Sequence, residues 1–348
     1  MKKILLIAPD FNNYTEIFLK KRQSRGEIFS NSIDKCGYNA ISLSFSAYDW
    51  RTAVCKLFHC SDKKIIDKKK TIFNKRILEL YKEINPEFVI VIRGDFMERE
   101  TLSSITCPKA IWLYDSVSRY PDMMENWELY DLHYVFEESD VLKLKEKNKE
   151  SVFLPLGYDE QKYYPINTNT KDVDISFVGA MYGNRKKILE KVAYDFKNKN
   201  CMFYGIYEFK RNIVRYIKFI MSDKKNSFVN KKISHEKANE LYSRTKININ
   251  ILHEQSQSGW NARLNEILGA GAFQLVSYNE LIAKKYEGML DTFRDYDELK
   301  NKIEYYIDNE EIRIQYAQKG YEWAKNNETY LNRFKIILNE LEICKRSK

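Results

Sequence analysis

Short runs of aliphatic and β-branched residues alternate with longer stretches of helical spacing along the chain, an alternation that predicts parallel sheets covered by helices. Lys3–Ala8 reads as a first strand. Thr15–Cys36 carries helical spacing and stops at Gly37, a residue suited to the left-handed turn that ends a helix. Ala40–Phe45 reads as the second strand and Thr71–Ile84 as an amphipathic helix halted by Asn85-Pro86. Phe88-Val89-Ile90-Val91-Ile92 is apolar at every position, as a strand buried on both faces must be. Ala110–Leu113, Leu132–Phe136 and Val152–Leu156 continue the series. Polar residues follow these strands at Asp10, Asp95, Asp115, Glu137 and Asp159, which is where open parallel sheets bind ligands.

The pattern pauses at Pro165–Asp174, a polar stretch without apolar periodicity that reads as a linker. A second series follows. Val173–Val178, Met202–Tyr204, Ile247–Leu252 and Ala272–Ser277 read as strands, and Asn184–Lys197, Ser234–Ser243 and Asn261–Leu268 as helices, with helices dominating from Tyr296 onward. The expected organisation is α/β: one Rossmann-like domain over 1–165, a second over 172–325, the two facing a cleft, and a helix over 326–348 returning to the first. No apolar run approaches the ~18 to 20 residues that cross a membrane, and the run after Met1 stops at Pro9, short of a signal peptide. The six cysteines form no C-x-x-C pair, and Cys55, His59 and Cys60 lack a fourth ligand nearby, so no metal site is expected and a cytoplasmic chain with free thiols is.

Length and charge narrow the function classes. The 348 residues suit two domains, and 44% hydrophobic with 31% charged residues excludes a disordered or collagen-like chain. Lys plus Arg number 58 against 49 for Asp plus Glu, giving +9, which favours anionic partners such as phosphorylated substrates, nucleic acid or an anionic membrane surface. Phe209–Met221 places Ile213, Val214, Ile217 and Ile220 on one stripe with Lys210, Arg211, Arg215 and Lys218 around it, a pattern that suits peripheral contact with anionic lipid, a grip on a charged acceptor, or a buried helix with a basic flank.

Gly179 and Gly183 bracket a loop between a strand and a helix start, where backbone N–H groups favour a pyrophosphate and Arg185, Lys186 and Lys187 add charge. Neither G-x-G-x-x-G nor a Walker A loop is present, so no nicotinamide dinucleotide site is expected. From Ile247 to Ser277 a strand, a polar loop, a helix carrying Arg263 and Glu266, the small-residue turn Gly269-Ala270-Gly271-Ala272 and another strand follow in order. Arg263 and Glu266, three apart, share one helical face.

This stretch resembles the C-terminal half of GT-B glycosyltransferases, in particular the CgeB-like (spore maturation protein) group, through its R-x-x-E, small-residue turn and following strand. Asp174–Arg185 resembles that group's first C-terminal strand and loop, Val152–Asp159 the strand before its linker, and the Trp-x-x-Asp at Trp112–Asp115 its N-terminal domain. The resemblance implies a metal-independent enzyme without a cofactor. It would move a sugar from a nucleotide-diphosphate donor, UDP-sugar favoured, to a saccharide, lipid-linked or protein acceptor in cell-surface glycan synthesis. Gly179, Arg185, Lys187, Arg263, Glu266 and Gly269 would then bind the donor, with Glu266 on the ribose hydroxyls. Asp115, Arg263 and His253 would act in catalysis, and Tyr182, Trp112 or Trp260 would supply a sugar platform. Ser258 stands where retaining relatives carry a second glutamate, with Glu254 four positions away, so the stereochemical outcome stays open. A nucleic-acid-binding or base-glycosylating protein, and a non-catalytic nucleotide-binding module on the same scaffold, are the alternatives.

Overall fold

The computed structural model describes residues 1–9, 25–46, 62–119, 121–167, 171–207, 227–253 and 258–347. Asp10, the Cys55–His59–Cys60 group, Glu254 and the basic segment Phe209–Met221 lie outside the described residues. The chain forms two compact units, Met1–Leu156 with Tyr330–Lys348, and Gly157–Thr329.

In the first unit, β1 (Lys3–Pro9), β2 (Asn39–Phe45), β3 (Phe88–Ile92), β4 (Lys109–Trp112), β5 (Leu132–Val135) and β6 (Val152–Phe153) make a parallel sheet ordered β2-β1-β3-β4-β5-β6. Strand β3 lies between β1 and β4, which explains why all five of its residues are buried. Helices α1 (Arg25–Asp34), α2 (Asp62–Ile84), α3 (Arg99–Ser104) and α4 (Glu138–Lys145) connect the strands. After α1, Gly37 takes φ +88, the left-handed conformation that a side chain resists. Helix α2 starts well before Thr71, because its first turns are lysine-rich, with Lys63, Lys64, Asp67 and Lys68 exposed, leaving little apolar stripe to read.

In the second unit, β7 (Val173–Val178), β8 (Cys201–Tyr204), β9 (Phe228–Val229), β10 (Thr245–Asn250), β11 (Gln274–Ser277) and β12 (Asp291–Phe293) form a parallel sheet ordered β12-β11-β10-β7-β8-β9. Read from β9, this is the 3-2-1-4-5-6 order of dinucleotide-binding sheets, with the direction of winding reversing between β7 and β10. Helices α5 (Gly183–Asp195), α6 (His235–Arg244), α7 (Ala262–Gly269), α8 (Glu280–Lys285), α9 (Tyr296–Asp308) and α10 (Glu310–Asn327) accompany it. Ser234 and Asn261 cap α6 and α7 through their side chains, accepting from Lys237 N and Leu264 N. Ile175, Phe177, Phe203, Ile247, Ile249 and Leu275 fill the core with Leu189 and Val192 of α5.

The unit starts at Gly157, upstream of the polar stretch, because Tyr158 docks on Gly269, and it retains α10, whose Gly320 lies against Leu268. Only α11 (Tyr330–Ser347) joins the first unit. There Phe334 meets Trp112 edge-on at 5.8 Å and Phe29 at 5.4 Å, Arg333 donates to Pro155 O at 2.7 Å, and Glu340 accepts from the Tyr134 hydroxyl. Trp112 is fully buried and donates Nε1–H to Leu154 O, so it is a core pillar of this unit and cannot be a sugar platform. Among the described residues, no helix is long and apolar enough to cross a membrane.

Candidate functional site

A pocket of about 400 Å³ opens at the carboxyl ends of β10, β11 and β12 and the start of α5. Ile188, Ile251, Leu252 and Phe293 supply apolar wall, and Gly183, Asn184 and Arg185 bring the first turn of α5 to its edge. Tyr182 caps that helix with extended backbone and no side-chain hydrogen bond to it, so the capping residue leaves the first N–H groups to other acceptors. The helix dipole adds partial positive charge at the same place. His253 and Tyr182 line the pocket with ring centroids 5.8 Å apart. Opposite chemistry comes from Ser277, Tyr278 and Arg294, whose guanidinium stacks 4.0 Å over the Tyr278 ring.

Two arginines give the region its character. Arg185 is partly buried, its Nε finds no hydrogen-bond partner among the described residues, and burial together with the nearby Arg263 charge pushes its pKa down to about 10. Arg263 does not line the pocket; it lies at the winding reversal, beside Gly179 and 5.6 Å over the Phe177 ring. A Cβ on Gly179 would come within 2.8 Å of Arg263 Nη2, so this glycine makes room for the guanidinium. Among the described residues, neither arginine has an ion-pair partner. Two neighbouring cations, neither paired with a carboxylate among the described residues, make a place that favours an anion.

Three residues proposed from sequence change role. Lys187 is exposed and absent from the pocket wall, since a residue two positions from Arg185 points about 200° away around a helix. Gly269 cannot meet a ligand: it is buried in the last turn of α7, where a Cβ would land within 2.7 Å of three Tyr158 ring atoms. We expect Gly269→Ala to cost at least ~1 to 3 kcal/mol as overpacking, measured by denaturant unfolding; an unchanged midpoint would show that Tyr158 moves freely. Trp260 is also excluded as a platform, because it is fully buried, edge-on to Tyr286 at 5.5 Å and covered by Lys285.

Glu266 is partly buried on α7 near the Tyr242 hydroxyl, which Arg263 also hydrogen-bonds, and it lies off the pocket wall. In the first unit, Asp115 follows β4 and accepts from Arg119 Nη1 at 2.6 Å. Its loop is fixed by the buried Asp140, which accepts from Val117 N at 3.0 Å and from Ser116 Oγ at 3.2 Å. Asp95 pairs with Arg93, and Glu137 is buried. His133 stacks on Trp127 and His235 bonds the Tyr163 hydroxyl, both structural roles. Ser277, Tyr278, Phe293 and Arg294 escaped the reading of the sequence; for Ser277 and Tyr278 the place at the end of β11 was an available signal, whereas Phe293 and Arg294 close β12, too short to leave an apolar run. Among the described residues, no group of three His, Cys, Asp or Glu is placed to hold a metal.

Comparison with known proteins adds a family match over part of the chain, and the fold. Residues 185–339 match the model of a family described as glycosyl transferase-like. Among solved structures, sucrose-phosphate synthase from Thermosynechococcus elongatus superposes with a TM-score of 0.68 at 12% identity, covering 99% of this chain and 100% of that one. The chain has the GT-B fold. Anabaena HepE in complex with UDP-glucose shares the GT-B architecture with a TM-score of 0.62 at 10% identity, covering 98% and 100% of the two chains. A UDP-N-acetylglucosamine 2-epimerase shares it too, with a TM-score of 0.53 at 10% identity over 91% and 90%. No curated protein matches the chain in sequence.

Proposed function

We propose that the protein is a glycosyltransferase of the CgeB-like kind that takes a nucleotide-diphosphate sugar, UDP-sugar favoured, and transfers the sugar to a saccharide, lipid-linked or protein acceptor in cell-surface glycan synthesis. The observation that carries this reading is the pair Arg185 and Arg263, two neighbouring cations beside the first turn of α5 and a pocket with apolar walls, with no ion pair to either among the described residues. The fold alone does not choose, because an epimerase shares it; the family match over 185–339 favours transfer.

In the reaction the bond from the sugar's anomeric carbon to the diphosphate breaks, and a bond to the acceptor oxygen forms. The leaving diphosphate gains charge, and Arg185, Arg263 and the α5 N-terminus stabilise it without a metal. His253 donates to phosphate or sugar, and Glu266 takes the ribose hydroxyls. Asp115 accepts the proton of the acceptor hydroxyl. The work is placed in the cytoplasm, with the basic segment Phe209–Met221 reaching an anionic membrane surface.

A melting screen of UDP, UDP-sugars and other nucleotides tests the reading, since a ligand at 100 times its dissociation constant adds ~2.7 kcal/mol. Stabilisation by UDP and UDP-sugars, followed by sugar transfer detected by mass, supports it. No shift with any nucleotide, or salt-steep duplex binding instead, overturns it. Glu266→Ala should weaken UDP at least tenfold through two lost carboxylate hydrogen bonds at ~1.5 to 3 kcal/mol each. Unchanged calorimetric affinity for UDP in the folded variant would remove Glu266 from the ribose.

A further inference from the structure

We infer that Asn250 and Asn261 form a neutral amide cradle that positions Arg263 for the diphosphate while leaving its charge uncompensated. The inference rests on the diphosphate reading above and adds two residues which act only through Arg263.

Asn250 is the last residue of β10 and fully buried. Its Oδ1 accepts from Asn261 Nδ2 at 3.0 Å and from Arg263 Nη1 at 3.5 Å, and its Nδ2 donates to Asn261 Oδ1 at 3.2 Å. Asn261 Oδ1 in turn caps α7 by accepting from Leu264 N. The two amides are thus locked face to face, one at the end of the strand and the other at the start of the helix that carries Arg263. The Tyr242 hydroxyl, a second neutral group, also bonds the arginine.

The chemistry of this shell is unusual for an internal arginine. A carboxylate at Asn250 would hold the guanidinium with charge-assisted bonds worth about twice a neutral one. It would also cancel the positive charge. An amide fixes the same geometry through a shared oxygen and cancels nothing, so the cation is oriented and still available to an anion. Among the described residues Arg185 likewise has no ion pair with a carboxylate, and Gly179 clears the space next to Arg263. An amide shell, a second cation nearby and a cleared backbone all serve one outcome: positive charge retained at the winding reversal.

The test is a double-mutant cycle read by calorimetric titration with UDP. Asn250→Asp keeps size and shape and adds the missing carboxylate. In the otherwise unaltered protein it should weaken UDP at least tenfold, and in an Arg263→Ala background it should change affinity less than about threefold, because no guanidinium remains to neutralise. Asn261→Asp retains the helix cap and should show a smaller loss with the same dependence on Arg263, so it carries the test where Asn250→Asp fails to fold. Equal losses in both backgrounds, or no loss in either, overturn the cradle. Absence of UDP binding by the unaltered protein overturns the diphosphate reading itself.

Discussion

Arg185→Met should weaken UDP binding about 100-fold and at the same time raise the melting temperature of the ligand-free protein. The first effect follows from two charge-assisted hydrogen bonds to phosphate at ~1.5 to 3 kcal/mol each, which a thioether cannot make. The second follows from the state of the arginine without ligand. Its pKa is pushed down from the usual guanidinium range to about 10 by burial and by Arg263, so the charged form is disfavoured in the folded chain. That displacement corresponds to on the order of 3 kcal/mol of folded-state cost at neutral pH. The sign is opposite to that of a base gaining a partner: the cost is present at all pH below about 10 and is relieved only as pH rises through the folded pKa. Methionine keeps the length of the stem, removes the desolvated charge and ends the repulsion with Arg263. Calorimetric titration and thermal melting in phosphate-free buffer check both halves. A variant that melts lower while binding UDP normally would make Arg185 a structural residue and sink the anion site.

Much of this architecture is legible in the chain because parallel strands buried on both faces leave continuous apolar runs. Phe88–Ile92 is such a run, and its observed limits equal the expected ones. Edge and short strands leave no such trace: β12 begins with Asp291 and spans three residues, and β9 is only Phe228-Val229. The candidate site divides in the same way. Arg263 and Arg185 are visible as cations near predicted strand ends, but their mutual approach across the winding reversal depends on Gly179 and on two asparagines 11 residues apart in sequence. Lys187 was indistinguishable from Arg185 in a run of three cations until helix rotation separated them. The resemblance put Gly269 among the donor-binding residues; only Tyr158, 111 positions away in sequence, shows that its missing Cβ serves close packing.

Asp115→Asn should lower sugar transfer ~100-fold or more while leaving UDP affinity and melting temperature almost unchanged. Asp115 follows β4, whose buried Trp112 packs against α11, and its loop is tied to Asp140 by two hydrogen bonds, so the carboxylate is presented on a fixed backbone. Asp115 pairs with Arg119 four residues on, a half-exposed arginine, and such pairs contribute ~0 to 1 kcal/mol. Losing this pair costs little, so a large loss of turnover at an unchanged melting temperature has to arise from the lost proton acceptor. Arg119→Gln is the control: it breaks the same pair but retains the carboxylate, and it should keep turnover within a few-fold. If Asp115→Asn and Arg119→Gln fall together, the ion pair holds the loop and Asp115 is not the base. If both variants turn over normally, the role passes to Asp95 at the end of β3 or to Glu137 at the end of β5, where Asp95→Asn and Glu137→Gln decide between a carboxylate paired with Arg93 and one buried beneath the sheet edge.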